Sequence, residues 1–186
     1  MRRLLAFILM VLMLAGCEKT GHNLDRALSL RTQILNGKGC TFAATITADY
    51  GDKIYTFSMQ CQTDAVNNMT FTVTQPSTIA GITGTISEEG GKLTFDDNAL
   101  IFETLADEQI TPVSAPWVLM RTLRSGYIKA AGSYSDGVQI QLNDSYKEQV
   151  LSLDVWTNSL DAPVSAEIVW DGRRILSLII EDFKIL

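Results

Sequence analysis

The sequence predicts a mainly β fold of the α+β class. It reads as a single strongly curved antiparallel sheet, a half-barrel of about ten or eleven strands wrapping one or two helices, with a leading N-terminal helix. Short segments with two-residue alternation of apolar and polar side chains recur from Cys40 to Phe102 and again from Tyr127 to Ile180, separated by turn residues. Two segments, Leu24–Leu35 and Pro116–Ser125, show three-to-four spacing instead. The second of these interrupts the strands. A two-sheet sandwich offers it no place, whereas a curved sheet can hold it against its concave face.

The chain opens with Arg2 and Arg3, an apolar run from Leu4 to Leu14, and Leu14-Ala15-Gly16-Cys17. A basic start, a short apolar stretch and small residues at the cut make a secretory signal peptide. The run is too short to span a bilayer, which takes about 20 residues. Cysteine directly after Leu-Ala-Gly resembles the lipobox of bacterial lipoproteins, which implies diacylglyceryl transfer to the Cys17 sulfur and cleavage before it; the alternative is an ordinary signal peptide with an incidental cysteine. On the lipobox reading residues 1–16 are signal peptide, 17–23 a lipidated tether and 24–186 the folded domain. The polar stretch Glu18–Asn23 with its glycine reads as flexible. Two or three acyl chains anchor a protein stably, so the domain is expected to be exported and held at the outer face of the cell membrane, or at an envelope membrane in a Gram-negative cell. Loss of the two signal-peptide arginines takes the net charge from −6 to −8. That balance argues against nucleic acid or an anionic membrane surface as a main partner.

Each element follows from local pattern. In the first helix Leu24, Ala27 or Leu28, Arg31 and Leu35 carry the stripe and Ile34 widens it. Asn23 is the expected N-cap and Gly37 the stop. Cys40–Ala48 and Lys53–Cys61 alternate around the turn Asp49-Tyr50-Gly51-Asp52. With Ala48 opposite Lys53, Ile46 faces Tyr55, Ala44 faces Phe57, Phe42 faces Met59 and Cys40 faces Cys61. Directly opposed strand residues come near the reach of a disulfide, and an exported protein can keep one. A Cys40–Cys61 bridge is therefore expected, with two reduced buried thiols as the alternative. A metal site is not expected: there is no Cys-x-x-Cys, and the one histidine, His22, lies in the tether.

Further strands are read at Met69–Thr74, closed by Pro76, at Ile82–Ile86 and Lys92–Phe95 around Glu88-Glu89-Gly90-Gly91, and at Leu100–Phe102. The helix Pro116–Ser125 has an early proline, with Trp117, Met120 and Leu123 on one face, Arg121 and Arg124 near its end and Gly126 as stop. Tyr127–Ala131, Gly137–Leu142, Gln149–Trp156, Val164–Trp170 and Arg173–Ile180 follow. Asp171-Gly172 joins the last two in the strongest hairpin signal of the chain. With Trp170 opposite Arg173, Ile168 faces Ile175. Asp182–Leu186 reads as a further edge strand.

No catalytic set is present. There is no Gly-x-Ser-x-Gly, no phosphate-binding glycine loop and no metal-spaced histidines. The acidic pairs Glu88-Glu89, Asp96-Asp97 and Asp107-Glu108 sit in expected turns, where carboxylates are solvated. The chain reads as a non-enzyme without cofactor. What it does carry is apolar: Phe42, Phe57, Met59, Phe71, Trp117, Met120 and Leu123 are expected on the concave side or on the inserted helix. Met and aromatic side chains adapt to irregular apolar ligands, and a curved sheet around a helix can leave a lipid-sized groove.

The order of these parts resembles the lipoprotein-carrier superfamily of LolA-like half-barrels. That group includes the carrier and receptor of lipoprotein sorting, mycobacterial lipid-transfer lipoproteins, periplasmic sigma-regulatory sensors and a clostridial spore-germination lipoprotein. A leading helix, hairpin-rich half-barrel, mid-chain helical insertion and closing hairpin correspond here to Leu24–Leu35, Cys40–Phe102, Pro116–Ser125 and Val164–Ile180. The resemblance implies a membrane-anchored module that binds a lipid or acyl chain in the groove. The alternative it implies is a non-enzymatic regulatory or interaction subunit with an envelope protein partner, such as a cell-wall or spore-cortex enzyme.

Overall fold

In a computed structural model, which describes residues 18–94, 106, 110–146 and 149–186, the alternation of the strands becomes two chemically distinct faces of one sheet. Helix α1 (Glu18–Asn36) leads into β1 (Gly39–Asp49), β2 (Ile54–Asp64), β3 (Met69–Gln75), β4 (Thr83–Ser87) and β5 (Gly90–Thr94). A 3-10 turn at Pro112–Ser114 and helix α2 (Ala115–Ser125) follow. They precede β6 (Tyr127–Tyr134), β7 (Gly137–Asn143), β8 (Ser152–Thr157), β9 (Pro163–Trp170) and β10 (Arg173–Ile185). The ten strands form one sheet in the order β5-β4-β3-β2-β1-β10-β9-β8-β7-β6. Two five-strand meanders are thus joined along β1 and β10, and β5 and β6 end the sheet unpaired to each other: the half-barrel is open. In β1 the even positions from Phe42 to Ala48 are buried, as are the odd positions from Phe57 to Cys61 in β2 and from Met69 to Val73 in β3. Both helices cover that face and share one continuous core with it.

Several sequence expectations change. The β1–β2 register pairs Ala48 with Tyr55, Phe42 with Cys61 and Cys40 with Thr63, a slip of two residues. An even slip keeps every side chain on its own face, so the apolar pattern is satisfied either way. It does move the cysteines from opposed to diagonal positions, where Cβ atoms lie about 7–8 Å apart, beyond the ~3.5–4.5 Å of a disulfide. Cys40 and Cys61 are free buried thiols, and the expected bridge is not formed. What fixes the register is local. Tyr50 N–H donates to the Lys53 carbonyl at 2.9 Å, closing a loop one step later than expected. At the other end, Gly39 has φ +145°, and a Cβ there would stand 1.9 Å from the Thr63 carbonyl oxygen. The Thr63 hydroxyl accepts from the Cys40 N–H at 2.9 Å. Gly137, Val138 and Thr157 repeat this arrangement between β7 and β8, with Val138 N–H donating to Thr157 Oγ1 at 3.0 Å.

The first helix begins at Glu18, so Glu18–Asn23, read as a tether, belongs to it. Asn23 is not a cap but a buried residue whose amide donates to Ser133 Oγ at 3.0 Å. Gly37 ends the helix, donating to the Gln33 carbonyl at 3.0 Å. The Asp171-Gly172 hairpin forms with both residues at positive φ, +46° and +73°. A bulge after Arg174 sets Ile168 opposite Leu176 rather than Ile175. Asp182–Leu186 is no edge: through Ile185 it continues β10 and pairs with β1 in the middle of the sheet. The expected strand Leu100–Phe102, the signal peptide and Cys17 lie outside the described residues. Among the described residues no helix is long and apolar enough to cross a membrane.

Candidate functional site

Helix α2 is short and buried almost all round. Ala115, Pro116, Trp117, Val118, Leu119, Met120, Thr122 and Leu123 are all buried, which leaves Arg121, Arg124 and Ser125 at its rim. Such a helix is held by packing rather than by its own propensity. Thr111 and Ser114 prepare its start. Ser114 Oγ donates to the Thr111 carbonyl at 2.8 Å and accepts from the Thr111 N–H at 3.2 Å. Pro116 then sits in the first turn, where its missing N–H costs nothing.

The seven apolar residues singled out in the sequence meet here. Trp117, Met120 and Leu123 of α2, and Phe42, Phe57, Met59 and Phe71 of β1 to β3, belong to the same core, and none is more than 7% exposed. They fill the covered face of the sheet instead of lining an open groove; α2 occupies the space.

Polar contacts fasten the rim of α2, and sequence reading did not foresee them. Trp117 Nε1–H donates to the Asn67 carbonyl at 2.8 Å. Arg124 donates to the carbonyls of Ala65 at 2.6 Å and Ile34 at 3.3 Å, tying α2 to the β2–β3 turn and to α1. Arg31 of α1 donates to the carbonyls of Leu123 and Gly126, each at 2.7 Å. It thereby takes up carbonyls that the end of a helix leaves without partners. Arg121 pairs with Asp144 at 3.1 Å and lies 4.8 Å over the Trp117 ring.

The turn that receives Trp117 and Arg124 is itself built by Asp64. Its carboxylate accepts from the N–H groups of Val66 at 2.9 Å and Asn68 at 2.8 Å and from the Asn68 side chain at 2.8 Å. Partial desolvation pushes this carboxyl up, but the Asn68 and Val66 hydrogen bonds and nearby Arg124 outweigh it and hold the group below its ordinary value. Beside the turn the seat of α2 is polar but incompletely satisfied. Among the described residues the amide nitrogen and oxygen of buried Asn67 and the hydroxyl of buried Thr122 have no hydrogen-bond partner. Each such group costs about 1–3 kcal/mol.

Burial pushes the Cys61 thiol up to about 12 and raises the Cys40 thiol as well, so both stay protonated and poorly nucleophilic at neutral pH. Among the described residues no three His, Cys, Asp or Glu side chains gather as a metal site, and His22 is exposed. An open depression of about 690 Å³ lies on the opposite, outer face of the sheet, over β1 to β4. Its polar lining is Thr41, Gln60, Gln62, Thr70, Thr72, Thr83 and Thr85. These neutral hydroxyls and amides supply neither acid–base groups nor an apolar bed for an acyl chain.

No family model matches the chain, and no curated protein matches it. Among solved structures it is similar to an uncharacterized conserved protein from Thermus thermophilus, at 11% identity over 88% of this chain and 87% of that one, with a TM-score of 0.48. It is similar to a LolA superfamily protein from Nitrosomonas europaea at 12% identity, over 86% of this chain and 93% of that one, with a TM-score of 0.45. A putative outer membrane lipoprotein-sorting protein domain from Vibrio parahaemolyticus gives 9% identity, 89% and 92% coverage and a TM-score of 0.38.

Proposed function

We propose that the chain is a non-enzymatic, membrane-anchored envelope lipoprotein that binds a lipid, or the acyl chains of a lipidated ligand, on the apolar face now covered by α2. One observation carries this reading. Four large apolar side chains of the sheet, Phe42, Phe57, Met59 and Phe71, share one core with Trp117, Met120 and Leu123 of a single eleven-residue helix that arginine–carbonyl bonds fasten at its rim, and among the described residues Asn67 of the adjoining turn and Thr122 of the helix lack hydrogen-bond partners. Acyl chains replacing Trp117, Met120 and Leu123 would bury comparable apolar area, at about 25 cal/mol per Å². Asn67 and Thr122 would gain partners from ester or headgroup oxygens and hydroxyls. Binding is then an exchange of one apolar cover for another, and α2 acts as plug and lid. The test is extraction and mass analysis of the chain purified from membranes without added lipid. A stoichiometric phospholipid or acyl species beyond the Cys17 modification is expected, and its loss in a variant that fastens α2 to β3 by an engineered disulfide. A lipid-free chain that also takes up no lipid from vesicles contradicts the proposal.

A second reading, a regulatory or interaction subunit, is favoured by the filled interior together with the edge at β6, which pairs only with β7 among the described residues and where most side chains are exposed. In it the half-barrel is scaffold, and an envelope protein adds to the edge or to the exposed surface beside it. Crosslinking in intact cells from Lys129 of β6, followed by recovery of a single partner, is the expected result of that reading; no crosslinked partner contradicts it.

A further inference from the structure

Helix α1 carries a second apolar stripe that the fold does not use. Its buried side is Asn23, Ala27, Leu30 and Ile34. Leu24, Leu28 and Leu35, spaced four and seven residues apart, form a separate line along one flank, and each is 40–49% exposed. Arg31 lies on this flank between Leu28 and Leu35 and reaches Gly126. Tyr127 follows Gly126, is 49% exposed, and packs on Tyr146, which is 83% exposed, with ring centroids 5.7 Å apart. Three leucines and two tyrosines thus share one side of the molecule.

The charge on this side is also distinctive. Arg31 and Arg124 are bonded to backbone carbonyls, and among the described residues neither forms an ion pair with a carboxylate. Arg124 has the Asp64 carboxylate nearby, so Arg31 is what leaves a local positive charge here, on a chain whose net charge is negative. Leucine, tyrosine and arginine together suit the boundary between acyl chains and phosphate headgroups. The stripe is also near the expected anchor in sequence: Cys17 stands seven residues before Leu24.

From this we infer that the Leu24–Leu28–Leu35 flank of α1, with Tyr127 and Tyr146, is a membrane-docking face that lays the domain on the phospholipid leaflet holding its lipid anchor. The inference rests on the reading of Cys17 as lipidated and is independent of what binds beneath α2. From Leu24 to Leu35 the stripe runs about 16 Å at 1.5 Å per residue, so it lies in the interface plane and does not cross. Docked this way, the C-terminal end of α2, which Arg31 holds, faces the lipid.

The test uses the full mature chain in vesicles of phosphatidylcholine with phosphatidylglycerol. Cys40 and Cys61 are 1% and 4% exposed, so an environment-sensitive thiol probe reports on one introduced cysteine at a time. Leu28→Cys and Leu35→Cys probe the stripe and Ser29→Cys the outer side of α1; Leu160→Cys, at a site 85% exposed, controls for apolar exposure alone. The expected result is blue-shifted emission at positions 28 and 35, quenched by nitroxide-bearing lipid and shielded from aqueous iodide, with positions 29 and 160 the reverse. Equal iodide quenching at 28 and 29 overturns the inference. So does a position 28 that is aqueous in vesicles but shielded in native membranes, which identifies a protein as the occupant. Intact mass reports separately on Cys17. If it carries no acyl group the anchor reading fails, and quenching of probes on the unmodified chain with Cys17→Ser, added to the same vesicles, then decides the docking face by itself.

Discussion

Helices α1 and α2 spend their apolar residues in opposite ways. Helix α2 buries eight of its eleven residues and shows solvent only its arginines and a serine, whereas α1, at nineteen residues, buries one narrow stripe and leaves three leucines of another exposed. A helix buried all round is a piece of core that happens to be helical, and removing it demands a substitute of similar apolar area. A helix with a spare stripe has a surface that the fold itself leaves uncovered. The contrast is the basis of the two roles proposed above: α2 as a replaceable cover for the sheet, α1 as the face turned to lipid.

The sharpest break of this comparison is Trp117→Ala. It should cost about 3–5 kcal/mol through the cavity it leaves, read as a lowered denaturant midpoint with unchanged slope, while raising uptake of fluorescent lipid by weakening the closed state. Arg124→Ala removes the bonds to Ala65 and Ile34 and should cost about 1–3 kcal/mol; hydrogen exchange along α2 should quicken more than along α1. The β2–β3 turn gives a pH-dependent version of the same loosening. The folded Asp64 carboxyl lies below its unfolded value, so its contribution is complete above about pH 5 and is lost as pH falls through the folded value, from about pH 4 downward. The stability difference between the wild type and Asp64→Asn should therefore be flat near neutrality and shrink in acid. Smallest is Leu28→Ser: within about 0.5 kcal/mol of wild type, yet with weakened vesicle docking. A large loss of stability at Leu28 would break the division between the helices.

Much of the fold was legible because alternation is a local signal. The ten strands, the single open sheet and both helices follow from side-chain periodicity within each segment. The β1–β2 register was not, because a slip of two residues leaves Phe42, Ala44, Phe57 and Met59 on the same face; the choice rests on the Tyr50–Lys53 loop and on Gly39 against Thr63. The place of Asp182–Leu186 was missed for a related reason: pairing with β1 joins the two ends of the domain, and no nearby residue signals it. Glu18–Asn23 reads as polar tether until Asn23 finds Ser133, 110 residues away. At the candidate site the apolar residues were visible by type and alternation. That α2 would fill their groove, and that Arg31, Arg124 and the Asp64 turn would fasten it, depends on contacts across 59 to 95 residues that no short pattern encodes.

The most direct test of the replaceable cover is native mass spectrometry of residues 18–186, exported behind a cleavable signal without a lipobox and purified free of detergent. The account predicts a phospholipid-sized adduct that organic extraction removes, with more of it on Arg124→Ala than on the wild type. Bare protein mass for both, before and after incubation with vesicles, would contradict it.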